Sequence, residues 1–321
     1  MEQVILQRLG SKYLLNLEFG KAIDTLQQGL VAARENKDRQ GEGFILLSLG
    51  QAYSTSYWNN DNPNKDDVKA TQYIEQSLLI AREQKIQILE ANALISLANL
   101  KFSSGELKKS VSLAKEGIGI VRDLKNNDQW KNLSIFLELS LLQRLDLSYA
   151  DLGDTENQIK NLNDYLEIAQ QLNNEKMEGK TFYDIAYVYL AKSEFSIAID
   201  YLGRSLKIAQ KINSTQLKIN SFMGLGISYL SIGDFDKGLE YYQKALLALR
   251  ASDAKDFADS LEIPFHTASG LSRSSSRGIN RSLERISEKR DYKHTLEVML
   301  ISGIADISLY KDSDKNNYSI E

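Results

Sequence analysis

The feature that most restricts this chain is a spacing. A large aliphatic residue followed by a small one recurs at Leu9-Gly10, Leu49-Gly50, Leu97-Ala98, Ile185-Ala186 and Leu225-Gly226, with a degenerate copy at Leu145-Asp146. The second members fall at 10, 50, 98, 146, 186 and 226, so the steps are 40, 48, 48, 40 and 40. A fixed period of this length marks one helical unit stacked many times, because a single unit cannot bury its own apolar face.

Counting from the small residue as position 0, position +3 holds Tyr13, Tyr53, Tyr149, Tyr189 and Tyr229, with Lys101 the exception. Position −4 holds Leu6, Leu46, Leu94, Leu142, Phe182 and Phe222. On a helix these three positions share one face. Large residues fill the seam there, and the small one lets a neighbouring helix approach closely. Short polar turns follow, such as Ser-Gly-Glu-Leu (104–107) and Ile-Gly-Asp-Phe (232–235), where a small residue ends one helix and the next begins. The second helices carry their own pattern: Ala22, Leu26, Gly29 and Leu30 recur as Ala70, Ile74, Ser77 and Leu78, and again as Ala198, Leu202, Ser205 and Leu206. Steps of three, four and seven specify helix rather than strand.

The stretch Leu-Gly-x-x-Tyr-x-x-x-Gly-x-Phe-x-x-Gly at 225–238 resembles the tetratricopeptide repeat, and the resemblance covers about residues 3–250. The family's usual unit is about 34 residues; here it is 40, because the second helix runs on through Ile-Ala-Arg-Glu (80–83) or Lys-Ile-Ala-Gln (207–210). The longer unit resembles arrays of filamentous bacteria and of peptide-binding adaptors. The resemblance implies an all-α, right-handed superhelical solenoid of antiparallel helix pairs, six repeats over 1–250, with the first helices lining the concave wall.

Composition agrees with long helices. Proline occurs twice in 321 residues, where about 5% is ordinary. The absence of cysteine removes disulfides, thiolate nucleophiles and Cys-bound zinc, and the two histidines, His266 and His294, argue against a His-rich metal site. A net charge of −4 supplies no global field for nucleic acid. The N-terminal residues do not form a signal peptide, and no stretch has the apolar length of a membrane span. The expectation is a cytoplasmic, bacterial-type protein without cofactor, metal, membrane or nucleic-acid partner.

Two steps of 48 imply two eight-residue insertions. The first, around Tyr57, Trp58 and Pro63, has loop chemistry and belongs in the turn between the two helices of repeat two. It is either tolerated loop growth or a contact point made by Tyr57 and Trp58. The second, around 123–133, should lengthen the flanking helices near Trp130. After 250 the pattern decays: 251–290 is expected to hold an acidic helix, a Ser/Arg-rich loop and a basic helix, a decayed repeat or a linker, and 291–321 a capping helix with a frayed tail. Ile304-Ala305 there is a further large–small pair.

No catalytic constellation emerges. Gly179-Lys180-Thr181 is the tail of a phosphate-loop motif, but Asn174 stands where its first glycine belongs and no strand precedes it. Neither histidine has an orienting partner in the sequence. Arg273, Arg277, Arg281 and Arg285 form a basic run that could meet phosphate, or could be a solvated face answered by Asp253, Asp256, Asp259 and Glu262.

The family resemblance places ligand-facing side chains at −6, −3, +1 and +4. Repeats two and three then offer Phe44, Leu47, Gln51, Ser54, Asn92, Ile95, Asn99 and Phe102; repeats five and six offer Lys180, Tyr183, Tyr187, Asn220, Met223 and Ile227. Amides suit a peptide backbone, and Tyr, Phe and Met give adaptable apolar contact. Basic residues are sparse among them, which argues against a carboxylate clamp. The expected function is a non-enzymatic scaffold or adaptor holding a partner peptide or helix. The alternative is a sensor module of a signalling or caspase-like peptidase system whose effector lies elsewhere.

Overall fold

The computed structural model describes residues 2–54, 65–125 and 129–251. Twelve helices account for nearly all of them, with no strand among the described residues: α1 (Glu2–Leu15), α2 (Phe19–Glu35), α3 (Arg39–Tyr53), α4 (Asp67–Glu83), α5 (Gln87–Ser103), α6 (Leu107–Leu124), α7 (Lys131–Leu152), α8 (Thr155–Gln171), α9 (Glu175–Ala191), α10 (Phe195–Lys211), α11 (Thr215–Ser231) and α12 (Phe235–Ala251). The chain forms two compact units, Met1–Asp154 and Thr155–Glu321. Their division falls inside repeat four, the one whose small position is Asp146.

The local rule is simple. A helix of 17 residues plus a three-residue turn repeats every 20 residues through α8–α12. The turn is a Schellman closure: Lys37 N–H donates to Arg34 O and Asp38 N–H to Ala33 O, and the same pair of bonds recurs at residues 85–86, 105–106, 193–194 and 233–234. Each turn needs one left-handed residue. Glycine supplies it at Gly105, Gly153 and Gly233, but Leu17, Lys37, Lys85, Asn173, Ser193 and Asn213 adopt it as well. The residue after it starts the next helix: Asp38 caps Gly41 N–H at 2.8 Å, Asn174 caps Met177 N–H at 3.1 Å and Asp234 caps Lys237 N–H at 3.2 Å.

Packing follows the small position. A Cβ on Gly10 would lie 2.5 Å from the Leu26 side chain and one on Gly50 2.3 Å from Ile74, so these two backbones approach their second helices as only glycine permits. A buried hydroxyl adds to the seam. Ser77 Oγ donates to Gly43 O at 2.8 Å, and its counterpart Ser205 donates to Gly179 O at 2.9 Å. Each hydroxyl thereby satisfies itself on a helix carbonyl it would otherwise desolvate. The core is a row of clusters between helix layers, with Leu26, Ile45, Leu46 and Leu49 in one and Ile74, Leu89 and Leu94 in the next.

The first insertion falls between α3 and α4, and residues 55–64, including Tyr57 and Trp58, lie outside those described. The second insertion gives α7 22 residues, against 18 in α6 and 17 in α8. Residues 252–321, and with them Arg273, Arg277, Arg281, Arg285, His266 and His294, also lie outside the described residues.

Candidate functional site

First helices of successive repeats touch one another more than second helices do, so the first-helix layer is the inner wall of each unit. In unit one the wall is carried by α1, α3, α5 and α7; in unit two by α9 and α11.

The unit-one wall has a polar lane. Gln51 is exposed, and its Nε2 donates to Ser96 Oγ at 3.2 Å; Asn99 is exposed, and its Oδ1 accepts Arg144 Nε at 2.6 Å. Both bonds join position +1 of one repeat to −2 of the next, so they are the same link made twice. The Arg144 guanidinium also lies 4.4 Å from the Phe102 ring centroid. Beside this lane, Phe44, Asn92 and Ile95 are half-buried, with Asn92 Nδ2 donating to Ile88 O at 2.8 Å. Leu47 and Phe102, at 7% and 8% exposure, belong to the packing between repeats rather than to the open surface. Ser54 is half-buried at the C-cap of α3.

Four wall residues escaped the sequence reading. Ser96 and Arg144 sit at −2, a position not counted as ligand-facing, and Arg144 belongs to the degenerate repeat four. It places a cation on a wall expected to have few. Phe136, 65% exposed, lies at −10 on α7 with Leu133 at −13. Helical spacing puts both on the face of Ser140 and Gln143. The first helices α3 and α5 begin at −11, so Leu133 stands beyond their span while Phe136 stands within it. The register of the large–small pair already puts Phe136 one turn before Ser140 on the same face.

In unit two, Lys180 is exposed and pairs with Asp184 at 3.0 Å. Tyr183, 5% exposed, packs in the cluster of Ala186, Leu202, Leu217 and Leu225, and its ring centroid lies 4.6 Å from that of half-buried Tyr187. Burial raises both phenols well above or above their ordinary range, and the nearby Asp184 charge pushes in the same direction. Both therefore stay neutral hydrogen-bonding groups at physiological pH. Asn220 Oδ1 accepts Gln216 Nε2 at 2.8 Å, while Met223 and Ile227 are half-buried. Gly179 and Thr181 are buried in α9, where Thr181 Oγ1 donates to Met177 O at 2.8 Å, so the Gly-Lys-Thr run is helix packing.

Among the described residues no group of three or more His, Asp or Glu is placed to hold a metal ion, and no helix is long and apolar enough to cross a membrane. No protein-family model matches the chain, and no curated protein matches it in sequence. Solved structures do match. The apo form of RapI is similar with a TM-score of 0.60 at 15% identity, over 95% of this chain and 100% of that one. A putative kinesin light chain with TPR-like repeats from Podosopora anserina gives 0.50 at 16% identity, over 65% of this chain and 95% of that one. The fold is that of a TPR-like helical repeat array. Aspartyl phosphate phosphatase F from Bacillus subtilis also shares it, at a TM-score of 0.55 and 14% identity over 92% of this chain and 76% of its own.

Proposed function

We propose that this chain is a scaffold or adaptor that holds a peptide or helix of a partner protein against its first-helix walls. The observation that carries this reading is the unit-one wall, where Gln51 on α3, Asn99 on α5 and the apolar Phe136 on α7 are all exposed. An amphipathic segment matches that surface: its apolar side chains cover Phe136 and Phe44, and its polar atoms bond to the amides. Arg144, braced by Asn99 and Phe102, adds a fixed cation beside the lane. In unit two Tyr187, Asn220, Met223 and Ile227 offer a second, more aromatic surface.

The test is selection of displayed random peptides against the full chain, then titration of the enriched peptides against Asn99→Ala and Phe136→Ala. The expected result is micromolar binding weakened about tenfold in either variant, on the order of 1.4 kcal/mol. Peptides that bind wild type and both variants equally, while both variants melt as wild type does, overturn the unit-one wall as the site. A regulatory reading is supported by the length of the likeness to the protein named as an aspartyl phosphate phosphatase, which spans nearly the whole chain rather than a few repeats. Loss of acyl phosphate from a phospho-aspartyl protein on adding this chain would favour that reading over a passive scaffold.

A further inference from the structure

Unit two departs from the repeat rule at one core position. Four residues after the first small residue of the second helix stand Leu26, Ile74 and Leu202 in α2, α4 and α10, each fully buried. In α12 the same position is Tyr242, which is half-buried. Gly226, at position 0 of α11, makes room for the ring: a Cβ there would lie 3.3 Å from three of its atoms. A tyrosine reaches further than leucine and ends in a hydroxyl. That hydroxyl has no hydrogen-bond partner among the described residues. Burial raises Tyr242 above the ordinary phenol range, and the charge of an ionised Tyr187 would raise it further, so the two oxygens stand within electrostatic reach of each other.

Tyr187 lacks the link that ties its counterparts. In unit one, position +1 is bonded to −2 of the next repeat, Gln51 to Ser96 and Asn99 to Arg144. The −2 residue facing Tyr187 in register is Gly224, which has no side chain to offer, and a Cβ there would lie 2.7 Å from Leu202. The hydroxyl that Tyr187 does meet is that of Tyr183, on its own helix. Tyr187 packs on the cluster that includes Leu225, while Tyr242 lies on the adjoining Gly226 in a cluster with Met223.

The charges around this pair oppose a charged ligand group. Asp184 acts on Tyr183 and Tyr187 and would repel a carboxylate, while Lys180, 3.0 Å from Asp184, already answers that charge. Two neutral hydroxyls can each donate and accept. A carboxamide matches them, because it brings a carbonyl and an N–H to the same place.

Resting on the reading of the unit-two wall as a ligand surface, we propose that Tyr187 and Tyr242 clasp a side-chain carboxamide, Asn or Gln, of the partner segment beside Met223. A second helix thereby adds a specificity-determining residue to a wall otherwise built from first helices.

Two measurements on the full chain test this. Without ligand, Tyr242→Phe should melt no lower than wild type, because the lost hydroxyl bonds to nothing in the fold. A lower melting temperature shows that the hydroxyl serves packing and overturns the proposal. With ligand, displayed random peptides are selected, and those weakened by Met223→Ala but not by Phe136→Ala are kept as unit-two binders. They should share an Asn or Gln. Tyr187→Phe, Tyr242→Phe, or Leu in place of that peptide residue should each weaken binding about three- to tenfold. The peptide change combined with Tyr242→Phe should lose no more than either alone. Equal binding to wild type and both Phe variants, or binders that share a charged residue instead, overturns the clasp and leaves the wall as the site. A selection that yields no peptide sensitive to Met223→Ala overturns the unit-two wall, and the clasp with it.

Discussion

Gly50→Ala tests whether the large–small pair is a packing device. The new Cβ would lie 2.3 Å from Ile74 Cγ1, 3.1 Å from Ile74 Cδ1 and 3.1 Å from the Ala70 carbonyl oxygen. Carbon atoms in contact prefer about 3.5–4.0 Å, so Ile74 must retreat by more than an ångström. It has nowhere to go: its side chain is fully buried, and a β-branched residue in a helix holds one χ1 rotamer. Overpacking costs about 1–3 kcal/mol, and this geometry calls for the upper half. Replacing a helical glycine by alanine returns about 1 kcal/mol, leaving a net loss of about 1–2 kcal/mol. Gly119 isolates the second contribution. It is exposed in α6 with nothing within 4 Å of a Cβ, so Gly119→Ala should stabilise by about 1 kcal/mol. The two variants should therefore differ by about 2–3 kcal/mol in opposite directions, a separation on the order of 4–12 °C in melting temperature. Thermal melts followed by circular dichroism, with urea midpoints as a check, measure it. Gly50→Ala/Ile74→Ala copies the Ala98 and Ala114 pair of the next repeat and should lose less than its two single changes summed. A Gly50→Ala protein as stable as Gly119→Ala would refute the reasoning.

Lys85 holds a left-handed backbone, φ 56°, in a turn where Gly105 and Gly233 do the same without a Cβ. Lys85→Gly should raise stability by roughly 0.5–1 kcal/mol, read as a higher urea midpoint, and an unchanged or lower midpoint would count against it. The Glu106 carboxyl is lowered from its ordinary 4.5 to about 2 by hydrogen bonds from Lys109 and Lys101. A lowered folded-state value means its contribution is present above about pH 4.5 and lost as pH falls towards 2. The stability gap between wild type and Glu106→Gln should close across that window, and a gap constant from pH 7 to 2 would contradict it.

Much of the fold was legible because its rules are local and repeated. The large–small pair, the tyrosine three residues on and the polar turns set helix type, pairing and period without reference to distant residues. The Schellman turns were only partly visible: glycine announces three of them, but nothing in Leu17 or Lys37 does. There the bonds of the closure override the residue's own preference. The ion pairs Arg34–Glu42 and Arg82–Glu90, each joining a second helix to the next first helix, were present in the sequence as a spacing of eight, yet the insertion stretches their counterpart Arg122–Glu138 to sixteen and hides the series.

The wall divides the same way. Sequence and resemblance named Phe44, Gln51, Asn92 and Asn99, and these do lie on the first helices. Only packing decided that Leu47, Phe102 and Tyr183 turn into the core, because the degree to which a neighbouring repeat covers a position depends on how helices approach, not on residue type. Only packing brought Arg144 to Asn99, 45 residues away, and left Phe136 uncovered on α7. The sequence by itself determined the unit and how often it repeats. Tertiary structure decided which side chains of each unit remain available, since exposure is a property of neighbours.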